Sequence, residues 1–286
     1  MHIVPLKAAP QAQLQACLAV VEARDPLVPP TDPTWLEQGE GRVALASTPE
    51  EQIRAGGPMG DVLGVGWRVS RGGGTLLEVR VPPGRRRMGV GSALLDHLTA
   101  ETDAPCFAGC DAGHPRVSRF LMRRGFSPDG ATFHMRWDGD LEEVPSGFRT
   151  AEISPIKRYA GLCADLVRLF GAKVWPPLYP ALPRAIGGPD GVILSARLDN
   201  REVGLVAAHR RQHPDPQLCI DALAVDPAFR SRGIGRSLVL AMMRLAAREG
   251  RGALLTLPAQ DEDTVRWARD LGFWASRSWQ WFQRGA

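Results

Sequence analysis

Two six-residue runs carry residue types suited to holding an anion. Arg86-Arg87-Met88-Gly89-Val90-Gly91 and Arg230-Ser231-Arg232-Gly233-Ile234-Gly235 share the pattern Arg-x-x-Gly-x-Gly, 144 residues apart. Each follows a strand-like apolar run and opens a helical pattern. Glycines let backbone approach a ligand closely, and the first amides of a helix point at it. The helix dipole adds favourable potential, and the arginine adds a full charge. That chemistry is phosphate binding. A nucleotide P-loop would need a Lys after its second glycine, and none is present. A dinucleotide fingerprint would need a third glycine where Leu94 and Leu238 stand. A single such run reads most simply as a tight turn with capping glycines. Two in one repeated context favour phosphate.

The elements that must position these runs also come in pairs. Val81-Pro82-Pro83 precedes the first and Val225-Asp226-Pro227 the second. Arg124-Gly125-Phe126 is echoed by Leu271-Gly272-Phe273, and the proline-rich stretch 26–30 by 175–180. Four features in the same order imply two copies of one domain of about 140 residues. The domains are expected at 1–140 and 147–286. The seam lies over 138–147, which is acidic and interrupted by Gly139, Pro145 and Gly147. In each copy the periodicity predicts a short strand, an amphipathic helix, three strands, a helix from the glycine run, a strand, a short helix and a last strand. Strands are expected over 3–6, 42–46, 62–70, 75–81, 105–108 and 132–137, and over 149–153, 192–198, 202–210, 217–225, 253–257 and 279–283. Leu14, Leu18 and Val21 share one face of the first helix. Ile156, Cys163, Val167 and Phe170 share a face of its counterpart.

Together the glycine runs, their flanks and the late Gly-Phe resemble the GCN5-related N-acetyltransferase (GNAT) family along nearly the whole chain, twice. The tandem arrangement is similar to that of the two-domain mycothiol synthases. The resemblance implies an α/β fold: two tandem acyltransferase domains, each a mixed, mostly antiparallel sheet flanked by helices. It implies acetyl-CoA as cofactor. The pyrophosphate would sit on Gly233, Ile234, Gly235 and Arg236 with Arg230 and Arg232 nearby. In the first copy the equivalents are Gly89, Val90, Gly91 and Ser92 with Arg86 and Arg87. The pantetheine would lie along Leu223 and Val225, or Val79 and Val81, where the fourth and fifth strands splay.

The family's usual general acid is a Tyr four residues before the late glycine. Leu121 and Ala268 stand there instead. Relatives often place an acid on the fourth strand, nine residues before the motif's first arginine. That position is Asp221 in the second copy and Leu77 in the first, with Glu78 next door. Strand alternation would put Asp221, Leu223 and Val225 on one face. Asp221 is thus the candidate base, and the second copy the catalytic one, with the first degenerate or structural. The implied reaction is direct attack by a small-molecule amine on the thioester, with the strand amide near Leu223 stabilising the oxyanion. Trp175 and Tyr179, in the proline-rich loop where relatives build the acceptor pocket, are candidate substrate contacts. Acetylation of a protein amine, or a non-catalytic acyl-CoA sensor or scaffold, are the alternative readings.

Composition narrows the classes further. Of 286 residues, 44% are hydrophobic and 23% charged, which excludes a disordered chain. The chain has 32 Arg against 3 Lys, most simply a coding bias. Residues 1–143 hold 15 basic and 18 acidic residues (−3), and residues 144–286 hold 20 and 13 (+7). An imbalance so small and dispersed does not argue for nucleic acid. With no long apolar run or signal segment, the expectation is a cytoplasmic protein with no membrane or nucleic-acid partner. It would be a monomer (an internal pseudo-dimer) or a homodimer. Five scattered cysteines read as reduced thiols, and no metal site is expected.

Overall fold

The computed structural model describes residues 1–9, 11–25, 40–45, 62–71, 74–100, 102–144, 151–155, 190–212 and 215–285. Trp175, Tyr179 and the helix expected over 156–170 lie outside the described residues.

Within the first repeat the strands are β1 (His2–Pro5), β2 (Glu40–Leu45), β3 (Val62–Arg71), β4 (Gly74–Arg80), β5 (Cys106–Asp111) and β6 (Ser127–Trp137). Its described helices are α1 (Gln11–Arg24), α2 (Val90–Thr99) and α3 (Pro115–Arg123). The second repeat supplies β7 (Glu152–Pro155), β8 (Gly191–Leu198), β9 (Arg201–Arg211), β10 (Gln217–Val225), β11 (Gly252–Pro258) and β12 (Trp274–Arg284). Its described helices are α4 (Ile234–Arg248) and α5 (Glu262–Asp270). Every expected strand is present, with ends shifted by a few residues. Asp199 and Asn200, both left-handed (φ 50° and 62°), turn the β8–β9 hairpin, as a type I′ turn requires.

The chain forms two compact units, Met1–Asp129 with Gln280–Ala286, and Gly130–Trp279. The units and the repeats differ at their terminal strands. In the first unit the sheet order is β1-β2-β3-β4-β5, followed by the end of β12 from Gln280. Its last strand comes from the end of the second repeat. In the second unit the order is β6-β11-β10-β9-β8-β7. There β6 pairs antiparallel with β11, from Ala253↔Trp137 to Pro258↔Thr132. Core composition follows the same exchange. Phe282 is fully buried with Leu77, Leu95, Leu98 and Leu121, whereas Met135 and Trp137 are buried with Leu218, Ile234, Leu238 and Phe273.

One close approach recurs in both units. A Cβ on Gly64 would lie 3.0 Å from the Arg80 carbonyl oxygen and 3.0 Å from Val90, the first residue of α2. A Cβ on Gly204 would lie 3.1 Å from the Ala224 carbonyl oxygen and 3.2 Å from Ile234, the first residue of α4. Glycine at these points lets the helix that follows each motif settle onto its sheet.

Candidate functional site

The two motif loops fold alike. Each leaves its strand through a short 3-10 turn, Pro83–Arg85 or Pro227–Phe229. The backbone then turns left-handed at Arg87 and Ser231 (φ 66° and 63°), and again at Gly89 and Gly233 (79° and 77°). Gly89 and Gly233 are the N-caps of α2 and α4, and no side chain caps either helix. The opening amides, of Val90, Gly91 and Ser92 and of Ile234, Gly235 and Arg236, have no intrahelical carbonyl to bond. Such a helix start suits an anion. A Cβ on Gly235 would sit 3.6 Å from Val225 and 3.7 Å from Leu223, and one on Gly91 3.7 Å from Val81. Each helix start therefore lies over the strand residues expected to flank a pantetheine arm. Val79 packs against two of the first unit's core clusters.

The motif arginines brace the loops. Arg86 Nε donates to the Val81 carbonyl at 3.1 Å, and Arg230 Nε to the Val225 carbonyl at 3.2 Å. Arg86 also donates to the nearly buried Asp25 at 2.6 Å, and His114 Nε2 lies 3.0 Å from the same oxygen. Burial pushes the Asp25 carboxyl up, but His114 and Arg86 together outweigh it and hold it below the usual range. In the second unit Phe229 carries Arg201 and Arg232 against its ring, at 5.4 and 5.3 Å.

The expected splay is present twice. β4 pairs with β5 in parallel only from Thr75↔Cys106 to Leu77↔Ala108, and β10 with β11 only from Gln217↔Gly252 to Ile220↔Leu255. Beyond those points β4 and β10 continue with one partner each.

At the splay the two copies diverge. β3 and β4 pair without a break from Val65↔Arg80 to Arg71↔Gly74, and Leu77, Val79 and Val81 all pack into the first unit's cores. β9 and β10 slip by one residue between Ile220 and Ala222, so Asp221 is the extra residue of a β-bulge. This corrects the alternation expected for β10. Leu218 and Ile220 before the bulge, and Leu223 and Val225 after it, join the core that α4 covers. Asp221 instead reaches His209, whose strand partner is Cys219. The bulge also corrects the equivalence of Asp221 with Leu77. By register Leu77 faces Arg68 and Ile220 faces Ala208, while Trp67 faces Glu78 and Ala207 faces Ala222. Leu77 therefore corresponds to Ile220, Glu78 to Ala222, and Asp221 to nothing in the first copy. Glu78 is itself taken by Arg80.

His209 Nδ1 lies 2.6 Å from Asp221 Oδ2, with side chains 14% and 7% exposed. Burial pushes the imidazole pKa down. The hydrogen bond to Asp221 and its charge, helped by Cys219, outweigh it and raise the pKa from 6.5 to about 10. At neutral pH this is an imidazolium–carboxylate pair. Sequence reasoning missed His209, because its partnership depends on the β9–β10 register and the bulge. Leu121 and Ala268, where the family's Tyr would stand, are both buried in cores.

Comparison with known proteins places this geometry. The model of the Acetyltransferase (GNAT) family matches residues 162–273. An N-alpha-acetyltransferase RimI of Mycobacterium tuberculosis is 30% identical over 135 residues, 43% of this chain and 82% of that protein. A mycothiol acetyltransferase of Thermomonospora curvata is 26% identical over 276 residues, 91% of this chain and 90% of that protein. An uncharacterized protein of Mycobacterium leprae is 31% identical over 115 residues, and the match spans 31% of its length. Among solved structures, a tandem GNAT protein from the clavulanic acid biosynthesis pathway superposes with a TM-score of 0.76 at 18% identity, covering 99% of this chain and 97% of that one. No described helix is long and apolar enough to cross a membrane. The repeated fold, the paired phosphate loops and these relatives agree that the chain belongs to the GNAT acetyltransferase family, as a tandem member and an acyltransferase enzyme.

Proposed function

We propose that the second copy is the catalytic one, transferring an acetyl group from acetyl-CoA to the primary amine of a small molecule. One observation carries this reading. Where the parallel ladder parts, each copy carries a carboxylate, but Glu78 in the first is bound to the buried Arg80, whereas Asp221 in the second is set out of the ladder by a bulge and paired with His209. The amides of Gly233, Ile234, Gly235 and Arg236 would hold the pyrophosphate, with Arg230 and Arg232 adding charge. Leu223 and Val225 would flank the pantetheine. Acetyl-CoA would supply an activated thioester and a thiolate that leaves readily. Asp221, through water, accepts the proton of the amine as it becomes bonded to the acyl carbon. The backbone near Leu223 faces the developing oxyanion. Relatives named mycothiol acetyltransferase match along most of this chain, which favours a small-molecule acceptor over a protein amine. Trp175 and Tyr179 stay as candidate acceptor contacts, the protein is read as cytoplasmic, and the first copy as structural.

The test is coenzyme A release with a panel of amines. Gly91 and Gly235 have ordinary space around an added Cβ, so Gly91→Trp and Gly235→Trp should fold while filling their cradles. Turnover should vanish in Gly235→Trp and persist in Gly91→Trp. The opposite result would move catalysis to the first copy.

A further inference from the structure

A bare carboxylate beside an acceptor site attracts an ammonium. The one in this protein is not bare. Asp221 shares a 2.6 Å contact with His209, and both side chains are largely buried. Among the described residues, Cys219 is the other titratable group facing the imidazole, and the next pair on the same face of the ladder is Arg211 and Gln217, joined to each other. We infer that the His209–Asp221 pair makes this enzyme select amines that arrive uncharged, of the weakly basic class to which α-amines belong, and discriminate against lysine-type alkylamines. This rests on Asp221 facing the acceptor in the second copy.

The physical argument has two parts. First, the imidazolium cancels the carboxylate's charge, so the pair offers an incoming ammonium little net attraction. Second, a carboxylate stabilised by an adjacent cation is a weak base. It cannot strip a free ammonium. It can take the far more acidic proton of a nitrogen already bonded to the acyl carbon. The amine must therefore enter neutral. At pH 7.5 an α-amine of pKa about 7.8 is roughly one-third neutral, whereas an alkylamine of pKa about 10.4 is neutral in about one molecule in 800. Higher nucleophilicity of the stronger base offsets part of this gap. A net preference of about tenfold or more in kcat/KM should survive.

Two lysine amides, each blocked at one nitrogen, make a matched pair of acceptors, and small primary amines of graded pKa extend the series. For the wild type, kcat/KM at pH 7.5 should favour the α-amine and fall as amine pKa rises. His209→Gln uncovers the Asp221 charge and should shrink the preference several-fold. His209→Lys keeps a cation beside Asp221 and should keep the preference. The inference is overturned if the wild type favours the ε-amine, or if His209→Gln folds and leaves the ratio unchanged. The wild-type series needs no variant and is decisive without one. If no amine releases coenzyme A from either protein, the acetyl-transfer reading falls with it. If both amines react equally well, only this inference falls.

Discussion

Phe282 and Met135 test the strand exchange, because each belongs by sequence to one repeat and by packing to the other unit. Phe282 is in the second repeat, yet it is fully buried in the first unit's core. Met135 is in the first repeat, yet it is fully buried in the second unit's core. Truncating a buried Phe to Ala costs about 3–5 kcal/mol, and a buried Met about 2–5 kcal/mol. Against a domain stability of about 5–15 kcal/mol these are large fractions. At about 1.4 kcal/mol per factor of ten, a 3 kcal/mol loss raises the population of the locally open form about a hundredfold. Amide hydrogen exchange reads that directly. In Phe282→Ala, the slow amides of β3, β4 and α2 should exchange about two orders of magnitude faster, with β9–β11 little changed. In Met135→Ala, β9–β11 and α4 should lose protection while β3 and β4 keep theirs. Phe282→Ala loosening β9–β11 instead would refute the exchange and restore two units that coincide with the repeats.

Three other outcomes are expected. Gly64→Ala and Gly204→Ala push a methyl to 3.0–3.1 Å from a strand carbonyl oxygen, so each should cost about 1–3 kcal/mol of overpacking, seen in thermal melts as lower Tm. Gly89→Ala has open space around the new methyl but keeps φ 79°, so it should lose only about 1–2 kcal/mol, from backbone strain, in denaturant titrations. The His209–Asp221 pair makes stability depend on pH with a definite sign. His209 is raised from 6.5 to about 10 in the folded protein, so its contribution is fully present below about pH 6.5 and is lost as pH rises through about 10. The stability gap between wild type and His209→Gln, measured by urea unfolding, should be widest near pH 6 and close toward pH 10. A gap that widens with pH would mean that the imidazole is neutral in the fold.

Much of the architecture was legible because burial writes itself as periodicity. Leu14, Leu18 and Val21, three or four apart, are buried on α1 as expected. The strand expected over 75–81 is present as β4, with Leu77 and Val79 packed into the core. The motif loops were legible because glycine types and spacing dictate their backbone, down to matching left-handed residues in both copies. The exchange of terminal strands was not legible. β6 and β12 carry similar apolar patterns, and nothing in a strand's own sequence says which of two homologous sheets it will join. The pairing of Gly64 with Gly204 was also hidden, since it sits at an offset of 140 while the motif sits at 144.

That four-residue discrepancy contains the main difference between the copies. Two residues, 72 and 73, separate the pair Arg71↔Gly74, whereas five, 212–216, separate Arg211↔Gln217. The three extra residues between the paired positions account for three of the four. The fourth is Asp221, inserted within the strand itself. One extra residue in β10 thus does two things at once. It coincides with the end of the ladder to β11, and it throws a carboxylate onto the face of His209, away from the core under α4. A period-two reading of the strand cannot see this, because Leu218, Ile220, Leu223 and Val225 satisfy the helix-facing side only if the phase changes between Ile220 and Leu223. Two apolar pairs of opposite parity in one strand are the sequence sign of such a bulge. Here that sign marks Asp221, the residue to which the proposed function assigns the proton transfer.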